Sequence, residues 1–167
     1  MPDDVVTSDL TGPATQGLRL GAMGWQHVSW QDQFYPNDLP EEWQLAYYNT
    51  QFSCVWVPRE RWMHAPLVEL AQWIEDTQDS FRFVIEARQT DALVASQRLG
   101  MLTARLGLLC EATSSQLLWF DRETPLPTLA SQLRQIDKDN GPIYLLSRDA
   151  DLAKLEQVRI LTNLLGL

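Results

Sequence analysis

From Leu18 onward, short apolar runs alternate with longer stretches whose apolar residues recur at three- and four-residue steps. The runs read as strands: Leu18–Trp25 (LRLGAMGW), Phe52–Val57 (FSCVWV), Phe81–Ala87 (FRFVIEA), about Gln116–Phe120, and Pro142–Ser147. The stretches between them read as helices. Asp38-Leu-Pro-Glu41 makes a capping-box-like start for a helix running to about Asn49. Pro66 opens the next, with Leu67, Leu70 and Ile74 as its apolar stripe. Thr90 or Asp91 caps a long third helix whose stripe is Leu99, Leu102, Leu106 and Leu109. Thr124 and Pro125 supply N-cap and first-turn residues for the fourth, which ends near Asn140-Gly141. Asp149 or Asp151 opens the last, running to the C-terminus.

Five strand–helix units in regular alternation predict an α/β fold with a parallel sheet. Five units are too few to close a (β/α)₈ barrel, so the expected architecture is an incomplete TIM-barrel-like sheet. The alternative is an open, doubly wound, flavodoxin-like sheet. Residues 1–17 carry Asp, Ser, Thr, Gly and Pro without periodicity and read as a flexible N-terminal arm; residues 18–167 form a single domain.

Charge narrows the partners. The net charge is −9, with only two lysines, Lys138 and Lys154. Such a chain repels phosphate backbones and anionic membranes, which argues against nucleic-acid binding. The N-terminus has no basic segment followed by an apolar one, and no run approaches the length that spans a bilayer. Cys54 and Cys110 are isolated and form no C-x-x-C pair. Together these point to a cytoplasmic protein without structural disulfides.

Candidate chemistry is sparse. His27 and His64 lie far apart and no His/Asp/Glu cluster has ligand spacing, so neither a metal nor another cofactor is expected. Cys54 sits inside an apolar strand and Cys110 at a predicted helix end, both suited to burial rather than nucleophilic attack. His27, just past the first strand, is the one acid–base candidate; no partner residue stands out. Seven tryptophans are mostly placed by periodicity toward the core, with Trp25, Trp30 and Trp62 nearest to strand ends. Arginines follow four of the five strands: Arg59 and Arg61, Arg88, Arg122, and Arg148. In a parallel sheet those loops share the face where ligands bind, so Arg59, Arg61, Arg88, Arg122 and Arg148, with Trp25 and Trp30, form a candidate rim for a small anionic ligand. The competing reading pairs each arginine with a nearby acid: Glu60, Glu86, Asp121, Glu123 or Asp149.

The first part of the chain also carries a set of landmarks: Gly21-Ala-Met-Gly24-Trp25, Trp30, Phe34-Tyr35-Pro36, Leu39-Pro40, Tyr47-Tyr48, Phe52…Val55 and Phe81-Arg82-Phe83. Their order and spacing resemble the YecE-like family (domain of unknown function 72). The resemblance implies a barrel-type α/β fold and no particular reaction. It also implies that the family's final three strand–helix units have no counterpart here. The chain departs from the family where strands end. Trp56-Val57-Pro58 stands where the family commonly has Glu, a hydrophobic residue and Asn. Glu86 stands for Lys, Trp119-Phe120-Asp121 for Gln-Leu-Pro, and the Leu145–Arg148 region for Glu-Phe-Arg. Polar strand-end groups are where such folds do chemistry, so their replacement leans against an enzyme.

Leu152, Leu155, Val158, Ile160, Leu161, Leu164, Leu165 and Leu167 are too many apolar residues for one face of a terminal helix. Either the helix is sandwiched within the domain or it covers a partner. The expected mode of action is self-association as a homodimer, or binding of a protein partner, through this helix or an open sheet edge.

Overall fold

The computed structural model describes residues 17–167. Of the expected arm, all but Gly17 lies outside the described residues. Six strands form one parallel sheet: β1 (Leu18–Met23), β2 (Cys54–Val57), β3 (Arg82–Glu86), β4 (Leu106–Cys110), β5 (Leu117–Phe120) and β6 (Ile143–Ser147). The helices are α1 (Gln44–Gln51), α2 (Arg59–His64), α3 (Leu67–Glu75), α4 (Asp91–Val94), α5 (Ser96–Leu102), α6 (Leu126–Arg134) and α7 (Leu152–Leu164).

The spatial order is β4-β3-β2-β1-β6-β5. Read from the far end, it is the cyclic order of a barrel, 5-6-1-2-3-4, with no reversal. A doubly wound sheet needs a reversal, so that alternative is corrected. Among the described residues, the sheet is an incomplete barrel with its unpaired seam between β4 and β5. The position of the shortfall is corrected too. β6 pairs with β1, as a barrel's last strand does, so among the described residues the gap falls between β4 and β5.

The sixth strand is β4, which the helical stripe had absorbed. The expected long helix is broken into α4, α5 and a 3₁₀ turn at Thr103–Arg105, and Leu106 and Leu109 belong to the strand that follows. A register shift explains the misreading. Phe83 pairs with Leu106 but Val84 pairs with Leu108, so Gly107 is an extra residue in a β-bulge. The bulge puts Leu106 and Leu109 on one face of the strand at a spacing of three, which imitates a helix. Cys110 accordingly ends a strand.

Both faces of the sheet are apolar, as parallel sheets require. Outward, Ala22, Val55, Val57, Phe83, Ile85 and Leu145 pack against the helices. Inward, Cys54, Trp56, Val84, Tyr144 and Leu146 form a second cluster, flanked by Met23, Leu108, Cys110, Leu117 and Trp119. The sheet curls far enough for distant strands to touch across this inner space. Trp56 on β2 meets Trp119 on β5 edge-on at 5.1 Å. A Cβ on Gly107 of β4 would lie 2.5 Å from the Tyr144 hydroxyl of β6. The interior is a packed core and not a pore, as in barrels generally.

Only six residues, 111–116, join β4 to β5. The two strands run the same way, so the link must return from the carboxyl end of one to the amino end of the other. A helical crossover needs a dozen residues or more. The link therefore carries no helix, and β4 and β5 remain the two ends of the sheet.

α7 is mostly sandwiched within the domain. Leu155 and Val158 are buried and Leu152, Leu161, Leu165 and Leu167 are partly so, leaving Ile160 51% and Leu164 80% exposed. Its N-terminus is capped by Asp151, whose side chain accepts from the Lys154 amide.

Candidate functional site at the carboxyl ends of the strands

The loops after the strands converge at one end of the partial barrel, the end where parallel α/β folds place ligands. Its floor is the top of the inner cluster: the Trp56–Trp119 pair, Cys110, and Glu86, which shares the inward side of β3 with Val84. The Arg148 guanidinium lies 5.5 Å from the Trp119 ring, a cation–π contact.

The rim is held by three aspartates. Asp91, at the start of α4, is buried and takes both Nε and a terminal nitrogen of Arg59 at 2.8 Å, and the Arg88 amide at 2.8 Å. The Arg59 hydrogen bonds hold its carboxyl down at about 2. Asp149 accepts from the Arg122 amide at 2.9 Å and from the Asp151 amide and Ser147 hydroxyl at 3.3 Å. Burial pushes Asp149 upward, but these donors outweigh it and its carboxyl titrates below the usual range. Asp121 accepts from the Glu123 amide and the Thr124 hydroxyl. Each carboxylate occupies the donors that an incoming anion would otherwise use.

The structure separates the candidate residues. Arg59 is closed onto Asp91, an acid thirty-two residues away, and not onto its neighbour Glu60. Arg61 turns to the outer layer, where it pairs with Glu69 and stacks over Trp25 and Trp73 at 5.5 and 5.0 Å. Those groups line an outer cleft of about 300 Å³ between α3 and the segment before α1. Trp25 is otherwise buried against Trp73. Trp30 lies wholly in the core, donating its indole N–H to the Ala150 carbonyl at 2.8 Å. Trp62 is likewise buried and bonds the Glu86 carbonyl at 2.8 Å. Arg88, Arg122 and Arg148 are exposed on the rim; Arg122 sits 3.7 Å from Glu123.

His27 packs on Trp30 at 4.4 Å and meets the Gly24 carbonyl at 3.3 Å. Burial lowers its pKa, partly offset by backbone contacts to Gly24 and Met23. It is neutral near pH 7, with its ring turned to the backbone. Burial pushes the Cys110 thiol up to about 11, with the Glu86 charge adding to the rise. Burial also drives Cys54 well above the usual thiol range. Neither is an activated nucleophile. Among the described residues, no three His, Cys, Asp or Glu side chains stand where they could hold a metal ion, and no helix is long and apolar enough to cross a membrane.

Sequence reasoning missed Asp91 and Asp149 as the anchors of the rim. Asp91 was legible as a helix-start residue, but its pairing with Arg59 depends on β2 and β3 being neighbours. The Trp56–Trp119 pair depends on the curl of the sheet, which no local pattern encodes.

The family described as "Protein of unknown function DUF72" matches residues 19–146, most of the chain. The chain belongs to the DUF72 family. Its fold is also that of a DUF72 family protein (TM1631) from Thermotoga maritima, at a TM-score of 0.51 and 12% identity, covering 81% of this chain and 93% of that one. No curated protein matches it. The DUF72 membership agrees with the aromatic and glycine landmarks, and at this identity the structural likeness speaks for fold alone.

Proposed function

We infer that this DUF72 protein is non-catalytic and acts by association, first of all with a second copy of itself. One observation carries the reading. Asp91, Asp121 and Asp149 take up the Arg59 guanidinium and several backbone amides at the strand ends, while among the described residues β4 and β5 leave the sheet unpaired between them. Catalysis needs a base or nucleophile tuned for reaction. Here the imidazole is neutral and turned to backbone, and both thiols are held protonated. The free cysteines suit a cytoplasmic setting. The test is solution mass by sedimentation across micromolar to millimolar concentrations. A concentration-dependent dimer is expected, and a strict monomer throughout would sink self-association.

A second reading, a small phosphate- or carboxylate-bearing ligand at the rim, is favoured by Arg88 and Arg148, which are exposed and form no ion pair among the described residues. Inorganic phosphate is the probe. If it raises the melting temperature of the protein and not of an Arg88→Ala, Arg148→Ala variant, this reading stands; equal or absent shifts end it.

A further inference from the structure

We propose that two copies pair edge to edge through β4, antiparallel, about a two-fold axis at Leu109. This rests on the self-association reading and names its surface.

The argument starts from backbone hydrogen bonding. The Cys110 carbonyl accepts the Ala87 amide at 2.9 Å, so the N–H and C=O of Cys110 face β3. Successive residues of a strand turn these groups to opposite sides. The N–H and C=O of Leu109 therefore face the free edge, where the sheet ends. All five residues of β4 are partly buried. Among the described residues no bond is made by the Leu109 N–H and C=O, and backbone groups left without a partner carry a free-energy cost that grows with burial.

Natural edges are blunted by lysine, proline, inward charge, short length or a bulge. Leu106–Cys110 contains no lysine, proline or charge. The Gly107 bulge protects its first half and confines pairing to the carboxyl-terminal half of the strand. The link that leaves β4 is tied to β5 by the Trp119 indole, which donates to the Ala112 carbonyl at 3.0 Å.

Two features select a second copy as the occupant. A two-fold pairing lets Leu109 of each chain exchange both backbone bonds with its counterpart, satisfying two identical vacancies at once. Charge permits it as well. Residues 106–120 carry a single charge, Glu111, in a chain of net charge −9. The seam is thus a stretch where two such acidic molecules can approach without strong repulsion.

The experiment is amide hydrogen exchange on the full, unmodified chain at micromolar and near-millimolar concentrations, alongside sedimentation. The Leu109 amide is expected to slow by about tenfold or more as dimer forms. A Leu109→Pro variant removes that donor while leaving the bonds to β3, which edge strands tolerate; it is expected to lose the dimer and keep its near-ultraviolet circular dichroism. A dimer whose Leu109 amide exchanges equally fast at both concentrations overturns the β4 pairing but leaves self-association standing. A monomer at every concentration overturns both, including the case where β4 takes a strand from a different protein.

Discussion

The Tyr48 hydroxyl donates to the Cys54 carbonyl at 2.7 Å while accepting the Ala22 amide at 2.8 Å. One side chain from α1 thereby joins the edges of β1 and β2 from inside the core, where Tyr48 is fully buried. The two strands are unusually close at this level, since a Cβ on Gly21 would lie 2.0 Å from the Cys54 carbonyl oxygen. Tyr48→Phe strands a buried donor and a buried acceptor, and is expected to cost about 1–3 kcal/mol. Urea unfolding followed by tryptophan fluorescence measures it; a loss within error would mean that water replaces the hydroxyl.

Gly107→Ala tests the curl of the sheet. Its methyl group would enter the Tyr144 hydroxyl, with the Arg82 Cβ 2.9 Å away. Overpacking of this kind costs about 1–3 kcal/mol. Adding Tyr144→Phe removes the nearest atom and should recover part of the loss. A double-mutant cycle with no coupling would show that β4 and β6 do not meet across the interior.

Trp56→Ala removes the centre of the inner cluster. Trp56 is 1% exposed, and truncating a buried tryptophan costs about 3–5 kcal/mol. The melting temperature should fall steeply. Trp119→Ala should do less harm, because Trp119 is only partly buried, but it also frees Arg148 and the Ala112 carbonyl.

The pH dependence has two arms of the same sign. Asp91 has a folded pKa of about 2 against an ordinary 3.8. Its contribution is present above 3.8 and is lost as pH falls toward 2. His27 has its folded pKa lowered from 6.5. The unfolded chain binds that proton first, so stability also declines as pH drops below 6.5 and is indifferent to His27 above it. Melting curves of Asp91→Asn and His27→Gln should each be flatter than wild type in their own window. A His27→Gln profile that parallels wild type between pH 5 and 6.5 would show that the ring is solvated.

Much of this architecture was legible locally, and the exceptions share a cause. The strands β1, β2, β3, β5 and β6 announce themselves as apolar runs because both faces are buried. Asp151 opens α7 as a helix-start residue should. β4 hid because a bulge gave Leu106 and Leu109 the spacing of a helix. The sequence offers two readings of the rim, an anion site and arginines paired with their nearest acids, and Arg122 with Glu123 fits the second. Arg59 does not, because its acid, Asp91, comes from the next strand's loop. Local periodicity reports which face a residue turns inward; it does not report which strand lies alongside.

The short link between β4 and β5 sets where this fold can lengthen. Every other junction in the sheet is sealed by a neighbour, so new material there would have to break a ladder. Between Cys110 and Leu117 no ladder has to be broken; the bond from the Trp119 indole to the Ala112 carbonyl is what gives way. Two additional strand–helix units spliced at that point would bring the count to the eight of a closed barrel, with the β6–β1 closure and the Tyr48 bridge left as they are.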